Sequence, residues 1–346
     1  MKIGLIGYQG SGKSTVFEWL TGVKPDAALA HSSQSAMAAV PETRVASLCE
    51  IYHPKKITLA SLELVDTAGL SRTHEGNATR LAQIREAGCL VLVVDAFQRG
   101  SDPVGDVARL DEDFLLADLE IVSGRIERLR DSVKKPKPNR DQEQAELAAL
   151  EPLVPVLESG TPLHAVGLNE EQLKATRSFR LLTEKPKLVL VNVADDEADP
   201  QQYVKRLAAA TPPVRSVVAP AGLELELARM TEDERAAFRA EMGIEGFDRD
   251  TLVREILDAS GQMLYFTAGE KEVRTWMLRQ GGTALEAAAN IHTDLARGFI
   301  RAEVMSCPDL VRLGSEREIK AQGLVRQEPK DYVIRDGDIL NIRFSV

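Results

Sequence analysis

The chain has 346 residues, 44% of them hydrophobic and 28% charged, with a formal net charge of -10 and a pI near 5.2. Its length predicts two or three domains, and its ordinary composition excludes wholesale disorder and fibrous classes. The acidic balance argues against a chain that coats nucleic acid through its overall charge, though it leaves room for a local basic face; no sequence-specific DNA partner is expected, and no apolar run approaches the roughly 18 residues of a membrane span.

Residues 1–7 run into a motif without a basic leader or a signal-type apolar segment, so a cytoplasmic location is expected. Lys2 to Ile6 reads as a strand, and Ser14 to Leu20 carries apolar residues at helical spacing. Between them lies Gly7-Tyr8-Gln9-Gly10-Ser11-Gly12-Lys13-Ser14, a match to G-x-x-x-x-G-K-S. Its small residues let successive backbone N–H groups converge on phosphate oxygens. Lys13 is expected to reach the β- and γ-phosphates and Ser14 to offer its hydroxyl to Mg2+, while the helix directs its positive end at the anion. The candidate nucleotide contacts here are Gly10, Ser11, Gly12, Lys13, Ser14 and Thr15. Such a string arises by chance in roughly one chain of this length in a hundred, and its place between strand and helix sharpens the reading.

Ser61 to Val65 is a strand-length run leading into Asp66-Thr67-Ala68-Gly69, a D-x-x-G sequence. After a phosphate loop and a strand, this predicts Asp66 holding magnesium through water and the Gly69 amide sensing the γ-phosphate; Lys13, Asp66 and Gly69 are the candidate catalytic groups, Ser14 and Asp66 the candidate metal holders. Leu70 follows where Ras-like proteins carry a water-orienting glutamine, so intrinsic hydrolysis is expected to be slow. His74, in a polar loop, reads as solvated rather than catalytic.

Further strands are expected at Cys89 to Val94, Lys187 to Val191 and Val214 to Val218; lacking strict alternation and interleaved with helices, they fit a mainly parallel sheet covered on both faces. Residues 111–180 read as an inserted helical arm. Helices are expected at Asp113 to Val133 and Asp141 to Leu157, separated by Lys134 to Asn139, whose prolines cannot continue a helix. The Lys134, Lys135 and Lys137 cluster at its tip could meet RNA phosphates. After the strand ending at Val191 comes Asn192-Val193-Ala194-Asp195, in the place of the guanine-reading N-K-x-D. Asn192, Val193 and Asp195 are therefore candidate base contacts: Asp195 allows guanine, whereas Val193 removes the lysine half of the clamp. A connecting helix beyond Asp248 leads to a small α+β part with strands at Leu264 to Thr267, Phe299 to Val304 and Ile339 to Phe344, and a turn at Asp336 to Asp338. Cys49, Cys89 and Cys307 are far apart and odd in number, which predicts reduced, mostly buried thiols.

With these motifs in this order, the chain resembles the YchF/Obg-like ATPase family. The C-terminal half carries the closest match, in Tyr265-Phe266-Thr267-Ala268-Gly269, Lys271 to Trp276, Ile291-His292-Thr293-Asp294, Arg297 to Val304 and Asp336-Gly337-Asp338. The resemblance implies a P-loop nucleotide-binding domain (1–110 and 181–263) of α/β class, a coiled-coil arm (111–180) and a ubiquitin-like TGS domain (264–346). It also implies ATP preferred over GTP, Mg2+ as cofactor and association with the ribosome, as large subunit or 70S. In such proteins the residue matching Val193 meets adenine through its backbone and the serine matching Ser14 binds Mg2+. Three features depart from the family pattern: Tyr8-Gln9-Gly10-Ser11 inside the P-loop, a first switch (Ala30 to Ala36) with Ser32, Ser33 and Ser35 but no threonine, and a second switch compressed into Ser71 to Asn77. The leading expectation is a slow ATPase switch on the ribosome; a GTPase of the same architecture and a nucleotide-gated scaffold with negligible hydrolysis are the alternatives.

Overall fold

A computed structural model describes residues 1–26, 28, 33–210, 213–242 and 247–345. The described strands, in chain order, are β1 (Lys2–Ile6), β2 (Gln34–Ala39), β3 (Ile57–Thr58), β4 (Ser61–Asp66), β5 (Cys89–Ala96) and β6 (Lys187–Val193). They continue with β7 (Ser216–Ala219), β8 (Gln262–Ala268), β9 (Val273–Arg279), β10 (Phe299–Ser306), β11 (Arg326–Glu328) and β12 (Asp338–Phe344). The chain divides into two compact units, 1–37 with 63–249 and 38–62 with 250–346.

The first unit is built on a sheet of order β2-β4-β1-β5-β6-β7, in which β1–β4, β1–β5, β5–β6 and β6–β7 pair in parallel. Strands β5 and β6 are buried along nearly their whole length, as expected of parallel strands covered on both faces. One core cluster joins Ile6, Leu92, Val94 and Val191 of the strands to Val107, Leu110 and Phe114 of the long arm helix. The parallel register brings the strand ends Asp95, Asn192 and Ala219 level with one another, so the loops that follow share one rim, where open α/β sheets bind ligands.

The arm helix runs over Pro103–Ser132, starting before the expected Asp113. Asp102 caps it by accepting from the Gly105 amide at 3.0 Å, and Pro103 occupies the first turn, where its missing N–H costs nothing. The returning strand of the arm is two helices, Arg140–Leu150 and Leu153–Glu158, because Pro152 interrupts the single helix expected over 141–157. Val122, Ile126 and Leu129 pack against Leu150, Leu153 and Leu157, the side of the arm helix that its apolar spacing predicts.

The second unit is a mixed sheet of order β11-β10-β12-β8-β9-β3. Neighbouring residues on its strands enter different clusters: Phe266, Met305 and Ile339 pack on one side, Tyr265, Val304 and Leu340 on the other. Alternation with period two therefore buries both faces. The first of these clusters also contains Val45, Leu48 and Tyr52 of the helix Arg44–Tyr52, and β3 extends the sheet by pairing with β9. Residues 38–62, expected within the nucleotide-binding domain, thus belong to the second unit, where they cover a face that 264–346 alone leaves open. Glu42 cements this segment: burial raises its pKa, but hydrogen bonds from Arg44 outweigh that and hold it below the usual carboxylate range. Arg44 also reaches Asp336 at 2.7 Å.

Candidate functional site

The site grows from the C-terminal end of β1. Gly10 and Gly12 have φ of 80° and 94°, and the helix Lys13–Thr21 starts directly after them. At Gly12 a side chain is excluded twice: the backbone is left-handed, and a Cβ would sit 2.2 Å from Asn192 Nδ2. Lys13 is only 6% exposed, and its ammonium donates to the Tyr8 carbonyl at 2.9 Å. Burial lowers its pKa to about 8, against which the Asp66 charge works. A cation held this far from water is primed for an anion. Ser14 is exposed and Thr15 half-buried at the start of the helix.

Asp66 ends β4 beside this loop. Its Oδ2 accepts from Ser14 Oγ at 2.7 Å, while Oδ1, although buried, has no hydrogen-bond partner among the described residues; neither has Ser11 Oγ. Burial raises the Asp66 pKa, opposed by Ser14 and Lys13. Magnesium favours hard oxygen donors and commonly takes one or two carboxylates together with substrate phosphates, so a hydroxyl, a carboxylate and an orphaned carboxylate oxygen fit it. Among the described residues no cluster of three His, Cys, Asp or Glu side chains offers an all-protein cage. Gly69 approaches the phosphate loop so closely that a Cβ there would lie 3.0 Å from the Gln9 backbone. The two loops are zipped together: the Gln9 amide donates to the Leu70 carbonyl at 3.1 Å and the Leu70 amide to the Gly7 carbonyl at 3.0 Å.

The remaining predicted residues divide. Asn192 is buried and both ends of its amide are taken: Nδ2 donates to the Ser11 carbonyl at 3.2 Å, and Oδ1 accepts from the Ala221 amide at 3.1 Å. It braces the phosphate loop rather than presenting an amide to a base. Val193 places its side chain in the core of the sheet, which leaves only main-chain groups for a ligand. Asp195 is exposed; partial burial and then the nearby Glu226 and Asp196 charges push its pKa up. Leu70 is fully buried in the same core cluster as Ile6 and Tyr8, so no side chain at that position faces the loop. His74, expected to be solvated, has an exposed side chain but also lies 2.9 Å from Asp113. Within the first switch, Ala30, His31 and Ser32 lie outside the described residues, while Ser35 stands in β2.

Sequence reasoning missed three participants. Asp95 at the end of β5 accepts from the amides of Phe97 and Gln98 at 3.0 and 3.2 Å, shaping a loop whose Gln98 approaches Gly10; an aspartate closing an apolar strand was the available signal. Tyr8 and Arg72 form a cation–π pair with the guanidinium 4.6 Å from the ring centroid, and nothing local in the sequence announces it.

Two family models match the chain, one at each end. A family model described as 50S ribosome-binding GTPase matches residues 2–122, and one named for the YchF-GTPase C-terminal part, described as a protein of unknown function, matches 263–345. The chain is 34% identical to "Ribosome-binding ATPase YchF" of Haemophilus influenzae, covering 100% of this chain and 99% of that protein. It is also 34% identical to the protein of the same name from Bacillus subtilis, with 99% of each covered. The solved structure of the Schizosaccharomyces pombe YchF GTPase superposes with a TM-score of 0.85 at 26% identity, covering 99% of this chain and 97% of that one.

Proposed function

Because the chain belongs to the YchF/Obg-like ATPase family, we propose that it is a slow P-loop ATPase, dependent on Mg2+, that works as a nucleotide-gated switch in association with the ribosome. The observation that carries this reading is the cradle around Lys13: a buried ammonium, two left-handed glycines, and two buried oxygens, Ser11 Oγ and Asp66 Oδ1, without partners. Buried polar groups are normally satisfied, and a triphosphate with its cation supplies what these lack.

In this reading Gly10, Ser11, Gly12, Lys13, Ser14 and Thr15 hold the phosphates, with Lys13 moving its ammonium from the Tyr8 carbonyl to the β- and γ-phosphate oxygens. Ser14 and Asp66 hold the metal, which when bound neutralises charge on the phosphates. Gly69 reports the γ-phosphate through its amide, and Asn192 keeps the Ser11 peptide in place. The hydrolysis rate is low because Leu70 is buried in the core and cannot orient a water. Adenine is favoured because Val193 offers only its peptide groups, whereas the guanine clamp would need a lysine there. The exposed Phe97, in the loop whose Gln98 approaches Gly10, adds an apolar surface for a purine.

The arm and the second unit would report the nucleotide state to the ribosome, with Lys134, Lys135 and Lys137 at the arm tip meeting RNA phosphates; Lys134 already shares its charge with Asp131 at 2.8 Å. Work on the ribosome would place it in the cytoplasm; no described helix is long and apolar enough to cross a membrane.

The decisive test is phosphate release from Mg·ATP by the wild type and by Lys13→Ala, with ATP and GTP competing for binding. Equal release by the two proteins would favour a scaffold that does not hydrolyse, and exclusive GTP binding would favour the GTPase reading. Absence from ribosomal fractions in low salt with an ATP analogue would remove the ribosome from the proposal.

A further inference from the structure

The segment after Gly69 is fastened to the root of the arm helix by two carboxylates seven residues apart, and therefore on one side of that helix. Asp106, with a side chain only 2% exposed, receives both terminal nitrogens of Arg72, one of them at 2.7 Å, and Arg109 at 2.8 Å. Asp113 takes His74 at 2.9 Å and Asn77 Nδ2 at 3.4 Å. Asn77 in turn brackets Ser71, accepting from its amide at 2.8 Å and donating to its carbonyl at 2.9 Å. The Arg72 guanidinium that pairs with Asp106 also lies over the buried Tyr8 ring, and the Tyr8 carbonyl is the acceptor for Lys13.

We infer that Arg72 and Asp106 are positioning residues that couple the phosphate cradle to the arm. Lys13, Tyr8, Arg72 and Asp106 form one line of contact, and its far end is a continuous helix of 30 residues. Phosphates that draw the Lys13 ammonium away change what the Tyr8 peptide holds, and a γ-phosphate that draws in the Gly69 amide shifts the next residues, including Arg72. Either movement arrives at Asp106, where a small rotation of a helix about 45 Å long becomes a large displacement at the tip. The inference rests on the nucleotide reading above and names the route by which that site acts on the arm.

Hydrogen exchange along the arm helix, followed by peptide in the full chain with a nonhydrolysable Mg·ATP analogue or Mg·ADP, tests it. In the wild type the first turns, residues 103–117, are expected to exchange at rates differing about fivefold or more between the two nucleotides, the size of an ordinary coupling. In Arg72→Gln that difference should vanish while the analogue still protects residues 7–14. This variant leaves Asp106 its Arg109 partner, so no buried charge is stranded. Tyr8→Leu, which keeps the Arg72–Asp106 pair but removes the ring, should abolish the difference as well. A merely structural role would speed exchange equally in both nucleotide states and leave their ratio intact. An undiminished ratio in folded Arg72→Gln overturns the inference, and so does a wild type that protects its phosphate loop without any difference in the helix. Failure of the analogue to protect residues 7–14 in the wild type would instead overturn the nucleotide reading itself.

Discussion

Replacing Asn192 by alanine separates two roles that the same residue type can play at the end of a strand. In the structure its amide joins the Ser11 carbonyl to the Ala221 amide, at 3.2 and 3.1 Å, and the residue is 4% exposed. Truncation leaves both main-chain groups buried without a partner, at about 1–3 kcal/mol each. The Ala221 share falls on the fold alone. The Ser11 share falls on the phosphate loop, and a loss of about 1–2 kcal/mol there weakens binding roughly 5- to 30-fold. The loss acts on the phosphate cradle, so it should be the same for ATP, for GTP and for inorganic tripolyphosphate with magnesium, measured by titration calorimetry. A residue that read the base would penalise the two nucleotides and spare the tripolyphosphate. That pattern, or unchanged affinity for all three, would refute the bracing role.

Lys13→Met should abolish nucleotide binding yet stabilise the protein. The buried ammonium has its pKa lowered from 10.5 to about 8, a cost of about 3 kcal/mol at neutral pH, of which the lost hydrogen bond to Tyr8 offsets about 1 kcal/mol. The lysine binds its proton more weakly folded than unfolded, so this cost is fully present below pH 8 and fades toward 10.5; denaturant midpoints for the pair should converge across that window. Asp118→Ala should cost about 3–5 kcal/mol in urea unfolding, since this fully buried carboxylate accepts from Arg85 at 2.6 Å and from the Leu182 and Thr183 amides at 3.1 and 2.8 Å; a loss within 1 kcal/mol would contradict the pairing. A fragment of residues 264–346 should bind a hydrophobic dye and unfold without cooperativity, because the cluster of Phe266, Val273 and Ile339 lacks Val45, Leu48 and Tyr52. A sharp two-state melt of that fragment would show that 38–62 is dispensable.

What was legible in the sequence is what short-range chemistry fixes. The phosphate loop announces itself because its glycines and lysine stand at invariant separations, and β5 and β6 because strands buried on both faces must be apolar throughout. The cap of the arm helix was readable in Asp102-Pro103, but Gly105 in its first turn hid the start. Long-range docking was not readable. β3 is only two residues long, too short for any periodicity, yet its pairing with β9 helps assign a whole segment to the second unit. Asn192 reads identically whether its amide faces a base or the Ser11 carbonyl. The Tyr8–Arg72 pair joins two residues that only the zipping of Gln9 to Leu70 brings within reach.

Several unfavourable terms of this fold meet where the phosphate reading puts its ligand. Of the five buried side-chain atoms without hydrogen-bond partners among the described residues, Ser11 Oγ and Asp66 Oδ1 stand at the ends of neighbouring strands, around a buried lysine and a left-handed Gly12. Each would be costly in isolation. They persist because β1, β4 and β5 beneath them are packed and paired along their length, so the loops cannot relax without disturbing the sheet. The same rigidity fixes the zipper between Gln9 and Leu70, and through it the place of Arg72. A site whose polar groups are held unsatisfied by a stiff frame gains stability from a ligand that grows with the logarithm of its concentration over its Kd. The segment from Ser71 to Asn77 is bound to that frame at one end and to Asp106 and Asp113 at the other. Few residues separate the two anchors, which leaves little slack in which a displacement at Gly69 could be lost before it reaches the arm.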